Sequence, residues 1–401
     1  MSRTATSEFL PVVVLAWCLP AIGMECHAAG QVKFTERLLC AGYGYAYGLA
    51  SGDLDGDGRP EITTADADKG ELSCFLNHGK GHFARFFIKQ GEAGWFERHV
   101  LGDVDGDGRP DVVVVKNLSE ELLWFQNPGQ PCDAKPWTRH VITTKLHRAY
   151  DVCLADLNGD DRPDVAASTW VGGQFVWYEN PGRTGAEWVK HVLDQGVGET
   201  RTIRAADFNG DGRVDLLGTG RVSNLIVWYE NPGAPCAGKW SKHVVDDRST
   251  SPTHGHPVDM DGDSDQDIVM AAGFSGPPGP ERHEVCWYEN IGRPGRGTKW
   301  KKHSVGRLEA AFEAVAADLN GDGKPDVVAT AWGPNGQVVW FENPGDPTGN
   351  WIRHVLKEQW VRANSVLIVD LDGDGWLDIV AAAERGTNEV RWWHNEGRPR
   401  P

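Results

Sequence analysis

The chain has 401 residues, a formal net charge of −17 and 40% hydrophobic residues. That acidity argues against nucleic acid or an anionic membrane surface as a partner. Its 49 glycines imply many tight turns, and its 18 tryptophans imply one aromatic position used repeatedly along the chain.

The N-terminus reads as an export signal. Arg3 precedes the apolar stretch FLPVVVLAWCLPAIGM (9–24), and CHAA (26–29) offers small residues for cleavage. The stretch is short and broken by proline, so stable membrane insertion is not expected. Residues 1–29 are therefore expected to be a signal peptide. Residues 30–401 are expected to form one secreted or periplasmic, monomeric domain. Six cysteines remain: Cys40, Cys74, Cys132, Cys153, Cys236 and Cys286. They fall at mismatched places, Cys74 and Cys286 within apolar strand patterns that suit buried thiols. No Cys/His cluster has the spacing of a zinc motif.

From Asp53 the sequence reads DLDGDGRPE, and the pattern returns at Asp103, Asp156, Asp207, Asp259, Asp318 and Asp370, 50 to 59 residues apart. Such a period marks a repeat architecture. In the third repeat an apolar run, YDVCLA (150–155), enters the acidic loop and PDVAAST (163–169) leaves it. FVWYEN (175–180) and WVKHVL (188–193) follow, each bounded by turn residues. These are four antiparallel strands. The third strand has seven copies, from LSCFLN (72–77) to VRWWHN (390–395), but only six fourth strands follow their own repeats. FTERLL (34–39), ahead of the first loop, supplies the missing one. WFERHV (95–100) imitates a fourth strand, yet its register makes it the first strand of the second repeat. The expected fold is an all-β, seven-bladed propeller of four-stranded antiparallel blades, closed by an N-terminal strand that completes the last blade.

Four acids crowded into nine residues repel one another unless a cation sits among them. Oxygen-only ligands favour a hard ion, and flexible six- or sevenfold coordination favours Ca²⁺ over Mg²⁺. The loops resemble the calcium loops of FG-GAP/VCBS repeat proteins, the family of the integrin α-chain head and many exported bacterial propellers. The resemblance covers residues 31–401, although the literal Phe-Gly and Gly-Ala-Pro signatures are absent. It implies up to seven structural Ca²⁺ ions. Their ligands would be Asp53, Asp55, Asp57, the Arg59 carbonyl and Glu61 in the first loop, and Asp103, Asp105, Asp107 and Asp111 in the second. The third and fourth loops would use Asp156, Asn158, Asp160 and Asp164, then Asp207, Asn209, Asp211 and Asp215. The fifth offers Asp259, Asp261, Asp263 and Asp267, and the sixth Asp318, Asn320, Asp322 and Asp326. The seventh offers Asp370, Asp372, Asp374 and Asp378. Asp161 and Ser264 replace the second loop glycine, which weakens their sites if that position is left-handed.

The opposite face, around the central channel, differs from blade to blade. There the sequence places Tyr47, Trp95, Arg148, Tyr150, Asp151, Trp170, Arg221, Trp332 and Arg362, an aromatic and charged set suited to a sugar. The leading expectation is a non-enzymatic binding module for a carbohydrate or a cell-surface protein. The alternative is a sugar lyase or dehydratase, an activity the family resemblance also reaches, with Arg201, His254, His256 and Glu313 abstracting a proton and stabilising an enolate. His254 and His256, two apart on one strand, could also share a metal or proton-transfer task. The blade-repeated His140, His191, His243, His303 and His354 are expected to be structural.

Overall fold

The computed structural model describes residues 32–130, 137–274, 283–292 and 295–398. The expected signal peptide, residues 1–29, and Cys132 lie outside them. The described chain is all β, in seven repeated four-stranded antiparallel blades. Blade three is typical: Ala149–Ala155, Asp164–Thr169, Gln174–Glu179 and Val189–Gln195 pair in chain order. Strand Phe34–Ala41 pairs antiparallel with Glu389–Asn395 and is the outermost strand of the seventh sheet. Phe96–Gly102 is an inner strand, so WFERHV belongs to the second blade as its register required.

The blades are held by seven apolar clusters, one at each seam. Val113, Trp124 and Val152, for example, join blades two and three, and Ile62, Phe75, Val380 and Trp392 join blade one to blade seven. A polar latch accompanies the packing. The amide of Asn180, which ends the third strand of blade three, donates to the Val104 carbonyl in the acidic loop of blade two at 2.9 Å. Asn77, Asn127, Asn231, Asn290 and Asn395 make the same bond to the preceding blade at 2.6 to 2.8 Å. In blade six, Asn343 bonds the Pro325 carbonyl of its own blade.

The recurrent histidines are structural. Each lies across the antiparallel pair from a tryptophan and stacks on it, as in Trp177–His191 and Trp228–His243 at 4.2 and 4.3 Å between ring centres. Cross-strand pairs of this kind are a unit of sheet stability. Cys74 and Cys286 are buried in their strands, as their apolar surroundings suggested.

Candidate functional site

A β-bulge in the inner strand of every blade builds the channel lining. In blade three, Ala149 faces Thr169 and Val152 faces Ala167, so Tyr150 and Asp151 together oppose one residue. A bulge re-aims neighbouring side chains that a regular strand would send to opposite faces. Just ahead of the bulges, Trp95, Arg148, Glu199, Ser251, Ala310 and Arg362 hold φ between 45° and 65°. Each such non-glycine position costs about 1 kcal/mol.

The bulges and the loops between second and third strands enclose a cavity of about 350 Å³, walled by Tyr45, Tyr47, Trp95, Tyr150, Trp170 and Trp332. Phe274 and Phe312 close its floor side. Arginines cap the rings: Arg201 lies 4.4 Å over Tyr150, Arg148 5.0 Å over Trp170 and Arg385 4.7 Å over Tyr45. Glu97 enters the cavity as a carboxyl that is 6% exposed, and its Oε2 has no hydrogen-bond partner. Burial pushes its pKa up to about 8, against the pull of Arg201 and with the help of Glu384. Near neutral pH it therefore carries a proton and can donate to a ligand oxygen. Behind it, the Tyr47 and Tyr150 hydroxyls are hydrogen-bonded. Tyr150 also bonds His254 Nε2 at 3.1 Å, and His254 Nδ1 lies 3.2 Å from the Thr202 hydroxyl. Burial holds the His254 pKa well below its usual value, so the ring is neutral.

A second cavity of about 420 Å³ occupies the other half of the channel. Arg98 pairs with Glu313 through two bonds at 2.9 and 2.7 Å, Arg204 with Asp151 at 2.6 Å, and His256 Nε2 lies 3.3 Å from Glu313. Burial opposes ionisation of Glu313, but Arg98 holds its pKa well below the carboxylate range. The buried rings of Tyr47, Tyr150 and Phe312 pack together between the two cavities. The four groups expected to act together at the channel mouth are thus divided. Arg201 lines the upper cavity, His256 and Glu313 line the lower one, and His254 is buried between them. Asp151 also faces the lower cavity, while Arg221 and Arg362 brace Phe274 and Trp332 from behind. His254 and His256 have separate partners and share no task. Arg201 is only 7% exposed and bonded to Glu199.

The acidic loops lie at the opposite ends of the inner strands. In the first, the Asp53 carboxylate accepts the Gly56, Asp57 and Gly58 amides, which wraps the loop around it. Ligand oxygens of Asp53, Asp55 and Asp57 lie within 4.8 Å of one another, as do those of Asp259, Asp261 and Asp263. The ninth-position acid ties the loop to its blade: Asp164 accepts the Leu157 amide at 3.1 Å and the Asn180 amide at 2.7 Å. Burial, then the charges of Asp160 and Asp156, push its pKa up to about 7. Burial is the larger cause, and the neighbouring carboxylates add to it. Asp161 and Ser264 do hold left-handed φ, 64° and 74°. One feature was not foreseen. The guanidinium groups of Arg59, Arg109, Arg162 and Arg213 fold back onto the fifth-position acids of their loops, Asp57, Asp107, Asp160 and Asp211.

Six overlapping segments, residues 53–114, 103–167, 156–218, 207–270, 259–329 and 318–381, match the FG-GAP-like repeat family. Each begins on the first aspartate of one acidic loop and runs past the next. The chain belongs to the FG-GAP-like repeat family. Among curated proteins it is similar to an aldos-2-ulose dehydratase of Phanerodontia chrysosporium, 25% identical over 242 residues, which are 54% of this chain and 26% of that protein. The chain thus matches about a quarter of that relative's length. Two crystal structures of BBS1N in complex with ARL6DN, soaked with lead and with mercury, contain a chain of similar fold. Their TM-scores are 0.55 and 0.58 at 10% and 11% identity, covering 91% and 93% of this chain and 96% and 98% of theirs. At that identity the likeness concerns the propeller fold alone.

Within this FG-GAP-like propeller, sequence reasoning passed over three things. Phe274 and Phe312 complete the cavity, but a lone phenylalanine in an apolar pattern carries no signal. Glu97 lies two residues from Trp95, yet nothing local shows that its carboxyl is buried with one oxygen unpaired. The latch asparagines were legible in principle, since Asn recurs at the same place in all seven third strands.

Proposed function

We propose that this protein is a calcium-stabilised carbohydrate-binding propeller whose sugar site is the upper channel cavity. The observation that carries the reading is the pairing of aromatic walls with the buried Glu97 carboxyl, whose Oε2 has no hydrogen-bond partner. Ring faces stack on the apolar face of a sugar, while Glu97, Arg201 and Asn117 offer hydrogen bonds to its hydroxyls. The volume, about 350 Å³, suits one or two sugar rings. Calcium fits the acidic loops because their oxygens converge and their ninth-position acids resist ionisation. The loops lacking the arginine brace, those of blades five, six and seven, have the greatest need of an ion.

The test is calorimetric titration with a panel of mono- and disaccharides. Trp170→Ala should weaken binding about tenfold or more, equivalent to about 1.4 kcal/mol, with the melting temperature little changed because Trp170 is only half-buried. No binding by any sugar, or equal binding by the variant, would defeat the reading. Arg201→Ala is a poorer probe than Trp170→Ala. Removing it strips a buried partner from Glu199 and the cation from the Tyr150 face, so stability should fall as well.

Glu97 predicts a pH dependence. Affinity for a ligand that accepts its proton should fall as the pH rises through about 8, and Glu97→Gln should flatten the profile. The same raised pKa favours the fold at low pH, and that contribution is lost as the pH rises through about 8.

A second reading, sugar dehydration, is favoured by the protonated Glu97 beside the Tyr47–Tyr150–His254 hydrogen-bond chain and by the name of the curated relative. In it the C–H proton beside the carbonyl would pass through Tyr150 to neutral His254, while Glu97 protonates the departing hydroxyl, which leaves as water as the C=C bond forms. Incubation with an aldos-2-ulose should then yield an unsaturated product absorbing in the near ultraviolet, and Glu97→Gln should not form it.

A further inference from the structure

The Trp–His stack of blade three differs from its counterparts. In blades four, five and six the histidine Nε2 bonds the glutamate that follows the tryptophan: His243 to Glu230 at 2.8 Å, His303 to Glu289 at 2.6 Å and His354 to Glu342 at 2.9 Å. In blade three that bond is open. His191 Nε2 lies 3.7 Å from Glu179, is shielded from solvent and has no hydrogen-bond partner. The Glu179 carboxylate instead lies 3.4 Å from the Cys236 thiol, which reaches across the seam on the loop following the third strand of blade four. The imidazole nitrogen, the carboxylate oxygen and the sulfur all lie within 4.8 Å of one another.

We propose that Glu179, His191 and Cys236 form a zinc-binding site at the seam between blades three and four, with a fourth position open to water. Bond lengths of about 2.0 to 2.3 Å set the edges of a zinc tetrahedron at about 3.3 to 3.8 Å. The carboxylate–imidazole and carboxylate–thiol separations already fall in that range. The ligand set is a thiol, an imidazole and one carboxylate, which selects zinc over calcium. His191 is held in place by its stack on Trp177, at 4.2 Å, so little side-chain freedom is lost on binding. Cys236 is exposed, which gives the ion a way in. The site belongs to this seam. The positions of blade one that correspond to Glu179 and His191 are Leu76 and Phe86, which cannot ligate. Because two ligands come from one blade and one from its neighbour, the ion would tie the blades together.

The full chain in excess calcium, which saturates the oxygen loops, is titrated with Co²⁺ as an optical stand-in. A near-ultraviolet thiolate-to-cobalt charge-transfer band should appear, saturate at one equivalent and vanish when Zn²⁺ is added. Cys236→Ser should abolish the band, and His191→Gln should weaken cobalt binding at least tenfold. Zn²⁺ should raise the melting temperature of the wild-type chain and leave that of Cys236→Ser unchanged. The serine variant alters one exposed side chain, and its melting curve without zinc verifies that it folds. A wild-type protein without the band, a band that survives Cys236→Ser, or an equal zinc shift in both proteins overturns the assignment.

Discussion

Removing calcium should lower the melting temperature by roughly 20 °C. An ion held at a hundred times its Kd stabilises the fold by about 2.7 kcal/mol per site. A chain of this length unfolds with an entropy of about 0.8 kcal/mol per degree, so each site accounts for about 3 °C and six or seven sites for the whole shift. The effect should be uneven. Asp263→Ala, in a loop without an arginine brace, should cost more of the calcium-dependent stability than Asp57→Ala, where Arg59 already neutralises the acid. Differential scanning fluorimetry with EDTA and with added calcium measures both. A melting curve indifferent to EDTA would leave the loops as metal-free turns.

Deleting residues 32–41 should be nearly as severe. Strand Phe34–Ala41 covers the edge of Glu389–Asn395, sets Phe34 against Trp340 with ring centres 5.4 Å apart, and lays Arg37 4.8 Å over Trp392. Glu36 binds both Lys357 and Arg391, at 2.6 and 2.8 Å. Without it, a row of unpaired backbone groups flanked by tryptophans faces solvent, the arrangement that templates edge-to-edge association. Size-exclusion chromatography should show oligomers, and the melting temperature should fall by more than about 10 °C, since several kcal/mol of pairing and packing are lost. A truncated chain that stays monomeric with an unchanged melting curve would reduce this strand to an ornament.

The blade plan was legible because each signal was repeated. One strand pattern is ambiguous, but seven in register are not, and the same repetition separated WFERHV from the fourth strands it resembles. The aromatic residues around the channel were legible because they broke the repetition. What stayed hidden depended on geometry that no spacing encodes. A bulge sends the adjacent residues Glu97 and Arg98 into different cavities, so the channel divides where the sequence suggested one site. The burial of Arg201 follows from Tyr150 and Trp170 of blade three and Phe274 of blade five, which close over it beside Glu199 of its own blade. The Glu179, His191 and Cys236 cluster escaped any search for metal spacing because its third ligand belongs to the next repeat.

The asparagine latch has a consequence for how such a ring is made. Every blade but the sixth reaches backward with a donor to a carbonyl of the blade before it, so these seams are head-to-tail and chemically alike. That is the interface logic of a cyclic oligomer whose subunits happen to share one backbone. Gain or loss of a whole unit would change only the angle through which each seam turns. Continuity of the chain would matter for the speed of assembly more than for its outcome, and two fragments parted in a loop between blades should find each other again.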